Sequence, residues 1–179
     1  MDLLVLDGRM GEGGGQVLRS ALSLSVALGR PVRVTNVRGG RKKPGLLRQH
    51  LAAVRAAAAI SDGEVEGGEL GSSAVELRPG PVRAGTYDFP IGSAGSTLLV
   101  LQTILPPLLG AAGPSTLTLE GGTHNPLAPP FEFVERCFGP QLAKTGVELA
   151  LQLQRPGFHP AGGGRVLAVV SPLARPRPL

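Results

Sequence analysis

The strongest constraint on the fold is an internal repeat with a period of about 81 residues, long enough to be a whole supersecondary unit used more than once. Asp7 to Ser20 reads as strand end, glycine loop and helix start, and Asp88 to Leu101 reads the same way. Gly11-Glu12-Gly13-Gly14-Gly15 corresponds to Gly92-Ser93-Ala94-Gly95-Ser96. The strand-to-loop passage Val34-Thr35-Asn36-Val37-Arg38-Gly39-Gly40 has its counterpart in Leu117-Thr118-Leu119-Glu120-Gly121-Gly122. Each passage leads into a proline-containing loop and a second helix.

Hydrophobic periodicity and stop signals predict strand 3–6, helix 16–28, strand 32–37, helix 45–59 and a hairpin of 64–66 with 74–77 in the first copy. Gly29 and Pro31 end the first helix as a terminal glycine and a following proline do. The second copy gives strand 86–89, helix 96–109, strand 115–120, helix 130–145 and strands 148–153 and 166–170. The expected organisation is therefore α/β (α+β), with one β-α-β-α-β-β unit over 1–80, another over 81–172, and a Pro/Arg-rich tail over 173–179. Right-handed crossovers put both helices of a unit on one face of a mixed four-stranded sheet. The first helix of each copy is apolar on nearly every side, which predicts burial between layers. With two copies alone, part of that surface has no evident cover, so a third unit, a partner chain or poor solubility is expected.

Composition narrows the function classes. Gly 27 and Pro 17 in 179 residues are each about twice the usual share, without the spacing of collagen. Cys137 is the single cysteine, which rules out an intrachain disulfide or a cysteine-cluster metal site; its plain reading is a small buried hydrophobe. No leader-like segment opens the chain and the apolar run 98–109 is too short to span a bilayer, so a cytoplasmic protein is expected. The net charge of +5 suits phosphate-bearing partners, although arginine also serves solubility.

Two loops are placed to hold anions. Met10 to Gln16 joins a strand to a helix start, where free backbone N–H groups attract phosphate and glycines allow close approach. It is neither a Walker A sequence nor a dinucleotide fingerprint. Glu12 within it is either a solvated carboxylate or a ligand for a divalent cation bridged to phosphates. Arg38, Arg41, Lys42 and Lys43 crowd a second strand-to-helix loop, followed by Arg48, Gln49 and His50. This is either a solvated basic loop or a site that grips phosphate without reading bases, since no aromatic residue interleaves. Gln102 is the one large polar side chain in the leucine-rich helix; as a buried amide it needs a partner, from the backbone or from a ligand. His50, His124 and His159 share no metal-ligand spacing and read as surface or hydrogen-bonding histidines.

Taken together, residues 11–20, 38–50, 91–96, 121–123 and 157–164 resemble the RNA 3'-terminal phosphate cyclase family, over a span from about Leu6 to about Pro172. The resemblance implies a fold similar to the enolpyruvyl transferases, whose β-α-β-α-β-β units surround a pseudo-threefold axis, with a third unit and an inserted domain lacking here. It implies an ATP-dependent reaction in which a histidine is adenylylated, AMP passes to an RNA 3'-phosphate, and the 2'-hydroxyl displaces AMP to close a 2',3'-cyclic phosphate. By motif position, Glu12 would bind the divalent cation (Mg or Mn). Gln16, Arg19, Gln102 and Pro129 would hold ATP, and Arg38, Arg41 and Gln49 the RNA phosphate. Pro156 departs from the family pattern, and the nucleophilic histidine is expected beyond Leu179, so the chain reads as a fragment. Its implied partners are RNA with a 3'-terminal phosphate, a complementing carboxy-terminal fragment or a second copy, and no membrane. A non-catalytic RNA-binding or ribosome-assembly scaffold of the same family is the alternative; an enolpyruvyl transferase shares only the architecture.

Overall fold

The computed structural model describes residues 2–173 together with Arg175 and Arg177. The first repeat runs β1 (Leu4–Asp7), α1 (Gly15–Leu28), β2 (Val32–Thr35), α2 (Arg48–Ala59), β3 (Glu64–Glu66) and β4 (Val75–Arg78). The second runs β5 (Thr86–Pro90), α3 (Thr97–Leu108), β6 (Ser115–Gly121), a fourth helical rod, β7 (Leu149–Arg155) and β8 (Gly164–Val170). The rod comprises α4 (Phe131–Phe133), a π-helical stretch (Val134–Phe138) and α5 (Gly139–Lys144). The sheets have the orders β1-β2-β4-β3 and β5-β6-β8-β7. In each, the first pair is parallel and the other two are antiparallel. The duplication extends to single hydrogen bonds, with the glycine loops matching one residue out from the sequence pairing: the Gly40 N–H donates to the Gly13 carbonyl at 3.0 Å, and the Gly122 N–H donates to the Gly95 carbonyl at 2.7 Å.

Period-two alternation makes one face of each sheet apolar. Val32 and Val34 of β2 lie opposite Leu77 and Val75 of β4, and Leu117 and Leu119 of β6 lie opposite Ala168 and Val166 of β8. All eight are buried. The helices cover these faces, and α1, α2 and α3 pack on one another, so a single hydrophobic cluster runs through both repeats. On the outer face of the first sheet Glu76 is buried beneath Arg33, at 3.5 Å, and Arg78.

The expected helix at 45–59 begins at Arg48, because the preceding residues spend their backbone groups elsewhere. The Gly45 N–H donates to Val37 O and the Leu46 N–H to Ser72 O, and Gly45 sits at φ +83°, a conformation no helix uses. In the rod, Pro140 has no N–H to give the preceding turn, and the wider π-helical stretch lies just before it.

Two burial expectations are corrected. Cys137 is exposed, along with its neighbours in the π-helical stretch from Glu135 to Phe138, which turns outward. The first helices are not covered all round: Leu24 and Leu28 of α1 remain 58% and 66% exposed. Among the described residues no helix is long and apolar enough to cross a membrane. The Pro/Arg-rich tail expected over 173–179 falls partly on Ala174, Pro176, Pro178 and Leu179, which lie outside the described residues.

Candidate functional site

Both repeats place a glycine loop at the start of their first helix, but the two starts are finished differently. In α3 the N-cap is Ser96, whose hydroxyl accepts from the Leu99 N–H at 3.3 Å. The Thr97 N–H donates to Gly122 O, and the Ser96 N–H donates to the Gln49 side-chain carbonyl at 2.7 Å. That helix start is satisfied internally. In α1 the N-cap is Gly14, which has no side chain to offer. The first N–H groups of a helix have no partner within it, so the open end of α1 carries unmatched donors and positive potential.

The surroundings of that end are cationic and close. A Cβ built on Gly14 would lie 2.7 Å from Arg41 Nη2, and one on Gly15 would lie 3.0 Å from Arg19 Nη1 and collide with the His50 ring. Glycine at these positions therefore leaves room for guanidinium and imidazole groups to crowd the helix start. Arg41 Nη2 also donates to Glu12 Oε2 at 3.1 Å, and Arg19 Nη2 donates to Gln16 Oε1 at 2.7 Å. Arg19 and His50 are buried, yet among the described residues Arg19 Nε and His50 Nδ1 have no hydrogen-bond partner. Burial, with Arg38 and Arg19 nearby, pushes the His50 ring down to about 4, and burial lowers the Arg19 guanidinium from its usual value. A bound anion would offset both costs.

The expected site residues thus divide. Glu12, Arg41, Gln16 and Arg19 gather at one helix start, with His50 behind them, while Gln49 bridges to the loop of the other repeat. Arg38 points inward: its Nη1 donates to Lys43 O at 2.7 Å and Gly45 O at 2.9 Å, which fixes the shape of the basic loop. Gln102 is exposed, not buried; with Pro106 it lies on the one solvent-facing stripe of α3. Pro129 lies in the loop before α4. Among the described residues no hydrogen bond joins Gln102 or Pro129 to the Glu12 group. His124 is a hydrogen-bonding histidine, with Nε2 2.9 Å from Glu132 and Nδ1 2.7 Å from Thr123 Oγ1, and His159 is exposed. Sequence reasoning passed over His50 as part of this cluster. Its signal is helical: it follows the basic loop on the inward face of α2, and only packing brings Gly15 over it.

Among the described residues no group of three or more His, Cys, Asp or Glu side chains could hold a metal ion by itself. Glu12, with its side chain 88% exposed, fits the other mode, in which one carboxylate shares a divalent cation with phosphate oxygens.

The comparisons with known proteins agree on one family. The model of RNA 3'-terminal phosphate cyclase matches residues 10–179. The chain is 57% identical over 169 residues to the RNA 3'-terminal phosphate cyclase of Ralstonia nicotianae (strain ATCC BAA-1114 / GMI1000), a match covering 94% of this chain and 49% of that protein. It thus spans about half the length of the curated relative it matches. With two mixed four-stranded sheets in the arrangement that fold calls for, the chain belongs to the RNA 3'-terminal phosphate cyclase family.

Proposed function

We propose that this chain supplies the nucleotide- and phosphate-holding half of an ATP-dependent RNA 3'-terminal phosphate cyclase, a ligase-class enzyme of RNA processing. The whole reaction converts a 3'-phosphate to a 2',3'-cyclic phosphate through an adenylylated histidine and an RNA adenylate. The observation that carries the reading is the uncapped start of α1, ringed by Arg41, Arg19 and His50 and fronted by Glu12. Membership of the family raises it above a generic anion site.

Each role follows from what a group touches. Arg19 and the free N–H groups of α1 bind the phosphates of ATP, with Gln16 orienting the Arg19 fork. Arg41, now paired with Glu12, faces the incoming phosphate, and Glu12 would hold a magnesium or manganese ion, which would screen phosphate charge when bound. Gln49, held by the Ser96 N–H through its carbonyl, keeps its amide N–H groups for the RNA end. Gln102 and Pro129 frame the rest of the nucleotide, and Arg38 acts through the loop it holds rather than by direct contact. Residues 1–179 are assigned binding and charge neutralisation; the nucleophilic histidine comes from a further segment, in the same polypeptide or in a partner. The lone exposed cysteine is compatible with work in the reducing cytoplasm.

The test is calorimetric titration of the full chain with ATP and manganese, then with a 3'-phosphorylated oligoribonucleotide. ATP binding that needs the metal, weakens about tenfold in Glu12→Gln and is lost in Gln102→Ala is the expected result. RNA binding indifferent to ATP and to the terminal phosphate would overturn it and indicate a non-catalytic RNA scaffold.

A further inference from the structure

Alongside α2, outside the cluster at the start of α1, runs a groove of about 360 Å3 lined by Arg48, Leu51, Arg55, Glu69, Leu70 and Ile91 among others. One wall is α2, the second is the loop after β3, and the third is the end of β5. Arg48 and Arg55 are seven residues apart, two helical turns, so both project from the same side of α2 about 10 Å apart along its axis. Arg48 spends one N–H on Gly92 O at 3.1 Å, which pins it at the groove mouth and leaves other donors free. Among the described residues neither arginine forms an ion pair, although Glu69 lines the same groove. Leu70 is 56% exposed, and Leu51 and Ile91 form an apolar floor.

Two unpaired guanidinium groups, an apolar floor and one carboxylate suit a ligand with spaced negative charges, flat apolar faces and hydrogen-bond donors. A polynucleotide strand has all three, in its phosphates, base faces and hydroxyl or amino groups. Arg48 and Gln49 reach the same loop, at Gly92 and Ser96 respectively, and the proposed function puts Gln49 at the RNA end. We propose that this groove seats the RNA nucleotides immediately upstream of the 3'-terminal phosphate, with Arg48 and Arg55 on backbone phosphates and Leu51, Leu70 and Ile91 against a base. The inference rests on the cyclase reading and names where its RNA runs.

Binding measured by strand length separates the two. The full chain is titrated with a nucleoside 3'-monophosphate and with 3'-phosphorylated tri- and hexanucleotides, by calorimetry at several salt concentrations. The unsubstituted chain gains affinity from monomer to trinucleotide. Arg55→Ala loses about fivefold on the oligonucleotides, keeps its affinity for the monomer, and lowers the salt slope by about 0.7. Arg30→Ala, which removes the same charge at the far end of α1, changes neither. Arg41→Ala weakens monomer and oligonucleotides alike. Equal effects of Arg55→Ala and Arg30→Ala, or an Arg55→Ala loss that includes the monomer, would overturn the groove and leave the cyclase reading intact. A chain that binds neither monomer nor oligonucleotide would overturn both.

Discussion

His50 holds a neutral ring in a place where a proton is opposed three times, by burial, by Arg38 and by Arg19, which together bring its pKa to about 4. In the unfolded chain the same ring titrates near about 6.5. Between these values the unfolded state binds more protons than the folded one, so stability rises with pH through this window and is lost as pH falls through it. The full displacement corresponds to about 3 kcal/mol. Glu132, which is also depressed, and Asp7, held far down by its Arg9 partner, lose their contributions only at lower pH, so the range from about 5 to 6.5 belongs to the histidine. Urea midpoints are expected to be level above about pH 7 and to fall steadily from 6.5 downward. The same titration of His50→Gln is expected to be flat to about pH 5, and a slope surviving in that variant would assign the effect to another group.

At the scale of the element, two glycines in interlocked loops give opposite expectations. A Cβ at Gly40 would lie 2.6 Å from the Glu12 carbonyl oxygen and 3.0 Å from Gly13 Cα, all of it backbone, and nothing can yield cheaply. Gly40→Ala is therefore expected to destabilise the fold by about 1–3 kcal/mol in chemical denaturation. The nearest atoms to a Cβ at Gly14 all belong to the guanidinium of Arg41, the first at 2.7 Å, which can swing aside. Gly14→Ala is expected to keep its melting temperature while ATP affinity falls about tenfold, because the helix start is then obstructed and Arg41 displaced. The elements themselves were legible in the sequence because glycine loops, stop signals and alternation all recur in both copies, as the matching Gly40–Gly13 and Gly122–Gly95 bonds show. What one sequence conceals is which way a helix turns. Gln102 looks buried in a run of leucines, yet it falls with Pro106 on the single stripe of α3 left to solvent. Cys137 looks like core, yet the π-helical stretch before Pro140 shifts the helical phase and carries it outward. The cluster at α1 was half legible for the same reason: Glu12, Gln16 and Arg19 share a motif, whereas His50 joins them only through the packing of α2 on α1.

The repeat suggests two units divisible near residue 80, but the core argues that they stand or fall together. Helices α1 and α2 of one repeat and α3 of the other share one apolar cluster. Each sheet's inner face is covered by helices of its own repeat, but α1 and α2 bury their other sides against α3, so parting the repeats would expose that apolar helix surface at about 25 cal/mol per Å2. Ile104 of α3 is fully buried in this cluster, and Ile104→Ala is expected to cost about 2–5 kcal/mol. The informative question is where that loss is felt. Tyr87, the single tyrosine in a chain without tryptophan, stacks on Phe89 in β5 and reports the second repeat by fluorescence. Amide exchange at Val32 and Val34 in β2 reports the first. If the shared core couples the repeats, Ile104→Ala moves both signals to the same lower denaturant midpoint. Protection at Val34 that outlasts the Tyr87 transition would mean that residues 1–80 fold as a unit of their own. The open α1 site would then owe nothing to the second repeat beyond the Ser96 N–H that holds Gln49.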